Sequence, residues 1–165
     1  MPVFDSRIGR GQSCAGMTAD PGTTGFDFPA PHVIELTVQP EDIDAYDHVN
    51  NAIYLVWFDR AAWSHSAALG VPLEQCLALR RGMAALRTEI DYLLAAVKGE
   101  VVQVGTWIAR SDARLRCERR FQVRRAADGR TLARAMTEYV CINLDSGRAV
   151  RMPEAFMRAY VVTAT

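Results

Sequence analysis

The chain has 165 residues, half of them apolar and 23% charged, and its 19 basic and 19 acidic side chains cancel. That length suits one domain with its own hydrophobic core. Zero net charge excludes a bulk electrostatic attraction to nucleic acid or to an anionic membrane surface.

Finer composition narrows the class further. Lys98 is the only lysine, so arginine carries the remaining positive charge, which reads as a composition bias. Cys14, Cys76, Cys117 and Cys141 form no CxxC pair, and His32, His48 and His65 are too scattered for a zinc motif. Reduced thiols, no metal site and a cytoplasmic protein are expected. The N-terminus has no apolar core of a signal peptide, and the run Ala52 to Phe58 is far too short to cross a bilayer.

Residues 1–31 are rich in Gly, Pro, Ser and Thr without periodicity, and read as an extended or poorly ordered arm. Phe26 and Phe28 are placed to tack it onto the domain, which spans 32–165. "HVIELTVQ", 32–39, reads as a strand, and "PEDIDAYDHV" as a loop. From about Asn50 to Leu69 there is no Pro or Gly, and Gly70 and Pro72 then close a helix. Its start, "AIYLVWF", is apolar on every side, which predicts a central helix covered nearly all round, with Asp59, Arg60 and Ser64 on its wet face.

The second half reads as β. Leu86, Thr88, Ile90 and Tyr92 alternate with Arg87, Glu89 and Asp91. Val102 to Ile108 and Leu115 to Arg124 make two more strands. "ADGR" at 127–130 signals a hairpin, Thr131 to Leu144 a last strand, and "PEAFMRAY" at 153–160 a short helix with Pro153 at its first position. Short connections imply antiparallel neighbours. The fold class is α+β: one antiparallel sheet of about five strands curled around one long helix.

The segment "EDIDAYDHVNNAIYLVWF", Glu41 to Phe58, sets four acids, a histidine and two asparagines directly before the apolar run. It is not a calcium loop: counted from Asp42, Tyr46 falls where a ligand belongs, Asp47 where Gly does and Ile53 where Glu does. No phosphate-cradling Gly-rich loop and no GxSxG turn occurs. Asp44, His48, Asn50, Asn51 and Tyr54 cluster at a helix N-terminus, where free N–H groups and the helix dipole stabilise an oxyanion. A carboxylate there can attack a carbonyl or activate water. The same residues also suit plain capping by Asn50 or Asp47.

"DIDAYDHVNNAIY" resembles the DxDxxGHVNNxxY signature of the 4-hydroxybenzoyl-CoA thioesterase-like group of hotdog-fold acyl-CoA thioesterases. "LRTEIDYLLAAVKGEVVQVGTWI" looks like that group's second and third strands, and "RRFQVRRAADGRTLARAMTEYVCINLDSGRAVRMPEAF" like its last two. The similarity runs from about Val33 to Tyr160 and leaves the arm outside.

The resemblance implies a helix wrapped by an antiparallel sheet, with protomers paired into homodimers or homotetramers and active sites at the dimer interface. It implies hydrolysis of an acyl-CoA or acyl-carrier-protein thioester without a cofactor. By position Asp44 matches the catalytic aspartate, as nucleophile or as base for water, and the backbone N–H of Asn51 the group that polarises the thioester carbonyl. His48, as a catalytic residue, and Asn50, as a substrate-binding one, fall on the HVNN residues that shape the loop and orient Asp44 or the thioester, and Tyr54 falls on the wall of the acyl pocket, with Tyr46, Trp57 and Trp107 as further aromatic candidates. Asp59 falls where an acid is frequent on this helix, a salt bridge being its alternative role. Arg87 and Arg119 are candidates for the phosphates of coenzyme A, and Arg119, in phase with Leu115, Cys117, Phe121 and Val123, is expected to pair with Glu138 or to meet an interface.

One departure stands out: Asp47 occupies the signature's Gly position. A Gly there supplies positive φ, which Asp tolerates better than most residues. Two alternatives accompany the thioesterase expectation. A hotdog enoyl-CoA hydratase needs Asp and His five apart, whereas Asp42 and Asp44 stand six and four before His48. A non-catalytic acyl-binding module takes its footing from Asp47.

Overall fold

A computed structural model describes residues 25–164. Cys14 and the first 24 residues of the expected arm lie outside the described residues. The elements run β1 (His32–Thr37), a 3-10 turn (Pro40–Asp42), α1 (Asn51–Ala68), α2 (Leu73–Leu79), β2 (Arg81–Tyr92), β3 (Val101–Ser111), β4 (Arg116–Arg125), β5 (Thr131–Asn143) and α3 (Glu154–Ala159). The five strands form one antiparallel sheet in the order β1-β3-β4-β5-β2. This is the hotdog fold: a curled sheet around one long helix.

The local reasons are legible. The Asn50 side chain accepts the Ala52 N–H at 2.9 Å and caps α1. At the other end Gly70 takes φ +84°, a left-handed stop that costs glycine nothing. In between, 18 residues extend about 27 Å. Tyr54, Trp57, Phe58, Ala61 and Ala62 of α1 pack on Val102, Val104, Phe121, Val123, Ala133 and Ala135 of the sheet. The Phe58 and Phe121 rings lie 5.0 Å apart at the middle of this core. A second cluster joins Cys76, Ile108, Cys117, Cys141 and the terminal Phe156 and Tyr160.

The structure amends several expectations. α1 is covered on its sheet side only: Leu55, Val56 and Trp63 remain exposed. α2 has no counterpart in the sequence reading, because seven residues are too few for a clear period and only Cys76 is buried. β2 begins five residues before Leu86, and Leu86 is the extra residue of a bulge between Ala85 and Arg87, half exposed rather than on the inner face. Pro153 stands just before the helix as its N-cap.

Residues 25–31 lie across the outer face of the sheet. Asp27 forms a two-pronged ion pair with Arg134 at 2.6 and 2.8 Å. Phe26 and Phe28 both pack edge-on against Trp107, whose indole N–H donates to the Pro29 carbonyl. Gly105 makes room for this: a Cβ there would stand 2.6 Å from the Phe26 ring.

Candidate active site

The loop before α1 is closed by its own backbone. Ile43 and Val49 pair as an antiparallel bridge, and the Asp44 N–H donates to the His48 carbonyl at 2.8 Å. The Asn50 N–H donates to the Asp42 carbonyl, and the Val49 N–H to the Ala96 carbonyl, which ties the loop to the connection between β2 and β3. Asp47 holds φ +60°, so the position does require the left-handed conformation that a Gly would supply. Its side chain stands in solvent, so Asp44 and Asp47 do not share a buried site. Two variants test this strain. Asp47→Gly should leave stability within about 0.5 kcal/mol, whereas Asp47→Val should lower it by roughly 1–2 kcal/mol, read from urea unfolding midpoints.

Asp44 is half-buried, and its Oδ1 accepts the Tyr46 N–H at 2.8 Å. Its other oxygen takes no hydrogen bond among the described residues, so one lone-pair face is available. At the helix start, the Ala52 N–H goes to the Asn50 side chain and the Ile53 N–H to the Asn50 carbonyl. The Asn51 N–H, exposed at the first helical position, has no acceptor among the described residues. It is a free donor at the positive end of an 18-residue helix. The Tyr92 hydroxyl donates to the Asn51 carbonyl at 2.9 Å and holds this end against β2. His48 is exposed and enters the loop through its carbonyl.

One face of α1 runs down from Asn51 into a cavity of about 340 Å³ between α1 and strands β2, β4 and β5. Leu55, Asp59, Ala62 and Ser66 supply the helix wall at helical spacing; Met83, Thr88, Cys117, Thr137 and Tyr139 supply the sheet wall. Leu55 is one turn, about 6 Å, below Asn51. Asp59 forms no ion pair among the described residues; the residue is exposed overall, and partial desolvation of its carboxyl beside the cavity raises its pKa. The salt bridge considered for it is therefore absent there.

Five placements expected from the sequence need correction. Tyr54 lies in the core and not on the cavity wall: its ring packs on Trp57 and Tyr92, and its hydroxyl accepts the Ala96 N–H at 3.3 Å. Arg87 pairs with Glu89 on the sheet face opposite α1: the bulge at Leu86 switches the alternation of β2, so Met83 and Ala85 before it and Thr88 after it line the cavity while Arg87 and Glu89 turn away. Trp107 faces the outer side under Pro29, and Tyr46 is 81% exposed. Arg119 does not pair with Glu138, which points away from α1 and bonds Arg116 at 2.5 Å. Arg119 is only 3% exposed, and its guanidinium donates to His65 Nδ1 and Ser66 Oγ, each at 2.8 Å.

This buried group fixes the state of His65. A guanidinium only donates, so Nδ1 must accept and the ring must be neutral. Burial, with Arg119 and the stacked His32 ring beside it, holds the His65 pKa down at about 4. In the unfolded chain the group titrates near 6.5. The unfolded state thus binds more protons between these values, and stability falls as pH drops from about 6.5 toward 4. The loss from this group is up to about 3 kcal/mol. His65→Gln, which keeps an acceptor but does not titrate, should flatten that part of a melting-temperature profile.

The sequence missed the cavity, since its wall combines positions from four elements that are far apart in the chain. The signal that could have found it is Arg119, an arginine in phase with an apolar strand face.

Comparison with known proteins fits this architecture. A family model described as the Thioesterase-like superfamily matches residues 38–160. Curated proteins give no match. Among solved structures, a hypothetical protein, TT1821, from Thermus thermophilus is 26% identical, covers 78% of this chain and 96% of its own, and superposes with a TM-score of 0.72. A 1,4-dihydroxy-2-naphthoyl-CoA thioesterase from Synechocystis is 22% identical, with coverage of 79% and 96% and a TM-score of 0.71. A Staphylococcus aureus hypothetical protein solved in complex with CoA is 21% identical, with coverage of 82% and 85% and a TM-score of 0.73. The match of the family model spans most of the chain, from the end of the first strand through the terminal helix, and takes in the Asp44 loop, the helix start and the cavity wall: the chain belongs to the thioesterase-like superfamily.

Proposed function

We propose that this protein hydrolyses acyl-CoA thioesters to a carboxylic acid and free CoA, within the 4-hydroxybenzoyl-CoA thioesterase-like group. The observation that carries the reading is the free Asn51 N–H at the start of α1, preceded by Asp44 with an unengaged carboxylate oxygen and followed by a cavity one turn down the same helix face. The thioester carbonyl accepts the Asn51 N–H, which with the helix dipole stabilises the oxyanion. Either the Asp44 carboxylate takes a proton from water as the water attacks the carbonyl carbon and passes it to the departing sulfur, or it attacks the carbon itself, CoA thiolate leaves, and water then cleaves the mixed anhydride and its proton ends on the thiol. Asn50 caps the helix and His48 closes the loop, so both hold these two groups in place. Neither a cofactor nor a metal enters this scheme.

The CoA-bound Staphylococcus aureus relative and the Synechocystis thioesterase support a CoA thioester as substrate. An acyl-carrier-protein thioester presents the same scissile bond. β2 is a 12-residue edge strand; its Leu86 and, on α1, Leu55, Val56 and Trp63 are exposed. We propose that two protomers pair along this edge in a cytoplasmic homodimer, which covers that apolar surface and completes the site.

A second reading has one specific observation in its favour. Asp59 lies eight residues after Asn51 on the same helix face, lines the cavity and has the pKa of its carboxyl raised by partial desolvation. Such an environment suits a general base or acid. The test begins with a panel of acyl-CoAs and titration of released thiol. Release by the wild type supports hydrolysis. Loss of enoyl absorbance without thiol release points instead to a hydratase, and tight binding without turnover to an acyl-binding module.

A further inference from the structure

Arg119 stands where the alternation of β4 calls for an apolar side chain, between Cys117 and Phe121 on the face turned to α1. Every partner it has is neutral: His65, Ser66 and the Tyr160 ring, 5.4 Å from the guanidinium. Among the described residues no carboxylate forms an ion pair with it. Its two hydrogen bonds use two of five N–H donors. A buried charge without a counter-charge is costly, and the group is on the wall of the cavity. The same wall carries the hydroxyls of Thr88, Thr137 and Tyr139.

We propose that this cavity takes acyl chains that end in a carboxylate, with Arg119 as the residue that binds the distal carboxylate. The substrate class is then the CoA monothioesters of dicarboxylic acids, an assignment that rests on the thioesterase reading. A planar guanidinium matches a carboxylate through paired N–H donors, and the carboxylate supplies the missing counter-charge. A methyl-ended chain would fill the cavity and leave the charge facing hydrocarbon. Asp59, the one carboxylate on the wall among the described residues, does not contest the site: it is seven residues from Ser66, about 10 Å nearer the Asn51 end.

The test uses three length-matched series of CoA thioesters, ending in carboxylate, in its methyl ester and in methyl. Wild-type protein is expected to favour the carboxylate series by at least about tenfold in kcat/KM over both neutral series. Arg119→Met is expected to abolish that ratio, and Arg119→Lys to retain part of it. Equal or better turnover of the methyl series by wild type overturns the proposal and leaves the thioesterase reading standing. Since Arg119→Met also removes two buried hydrogen bonds, the wild-type comparison decides the matter even where that variant fails to fold. If no thioester is cleaved, the thioesterase reading fails by itself. Calorimetry with non-hydrolysable amide analogues then decides the pocket: tighter binding of the carboxylate form supports it, and equal binding overturns it.

Discussion

Asp44→Asn is expected to fold normally and to lose roughly 10²–10⁴-fold in kcat. The two halves of this expectation have separate causes. The asparagine amide oxygen can still accept the Tyr46 N–H, and the loop is closed by main-chain bonds that the substitution does not touch. What disappears is the negative charge and the lone pair needed to attack or to activate water. An amide has neither nucleophilicity nor basicity of that order. Steady-state thiol release at saturating acyl-CoA measures the loss, and an unchanged melting temperature separates it from misfolding. An unchanged KM would show that the effect lies in the chemical step.

Phe58→Ala is expected to cost about 3–5 kcal/mol of stability. Phe58 is 1% exposed, its ring lies against Phe121, and it joins the central helix to the sheet. Its other side faces the cavity, so truncation enlarges a space that is already there. Helix and strand are each held by their own hydrogen bonds and cannot close onto the vacated volume, which places the cost in the upper part of the large-to-small range. The guanidinium unfolding midpoint should fall with little change in slope. Tyr46→Ala makes the control: at 81% exposure it should stay within about 0.5 kcal/mol.

The sequence carries the fold in its two periods. The alternation from Arg114 to Arg124 and the uninterrupted run from Asn50 to Leu69 are enough to distinguish strands from one long helix. The strand order is not in the periods, because pairing β1 with β3 and β2 with β5 depends on which edges meet around α1. α2 escaped because its seven residues bury a single side chain. The bulge at Leu86 escaped because a period-two pattern cannot reveal one inserted residue when apolar residues flank it.

The candidate site divides the same way. The Asp44 loop and Asn51 lie within eight residues, so their grouping is local and legible. The capping role of Asn50 and the left-handed Asp47 follow from residue chemistry, and the structure has both. The roles expected of Tyr54 and Arg87 and the Glu138 partner expected of Arg119 differ in the structure because the actual partners, Ala96, Glu89 and His65, depend on which way each side chain turns in three dimensions, although Arg119 does lie on the apolar face. Arg119 carried the most information of the three. An arginine on an apolar face marks either a buried network or a ligand, and here its network is neutral.

The central claim is hydrolysis by Asp44 at the start of α1, and the most direct measurement places Asp44→Ala and Asp59→Ala side by side in the thiol-release assay. With an acyl-CoA that the wild type cleaves, Asp44→Ala is expected to lose nearly all turnover, and Asp59→Ala to lose much less. No thiol release by the wild type, or full activity in Asp44→Ala with activity lost in Asp59→Ala, would contradict it.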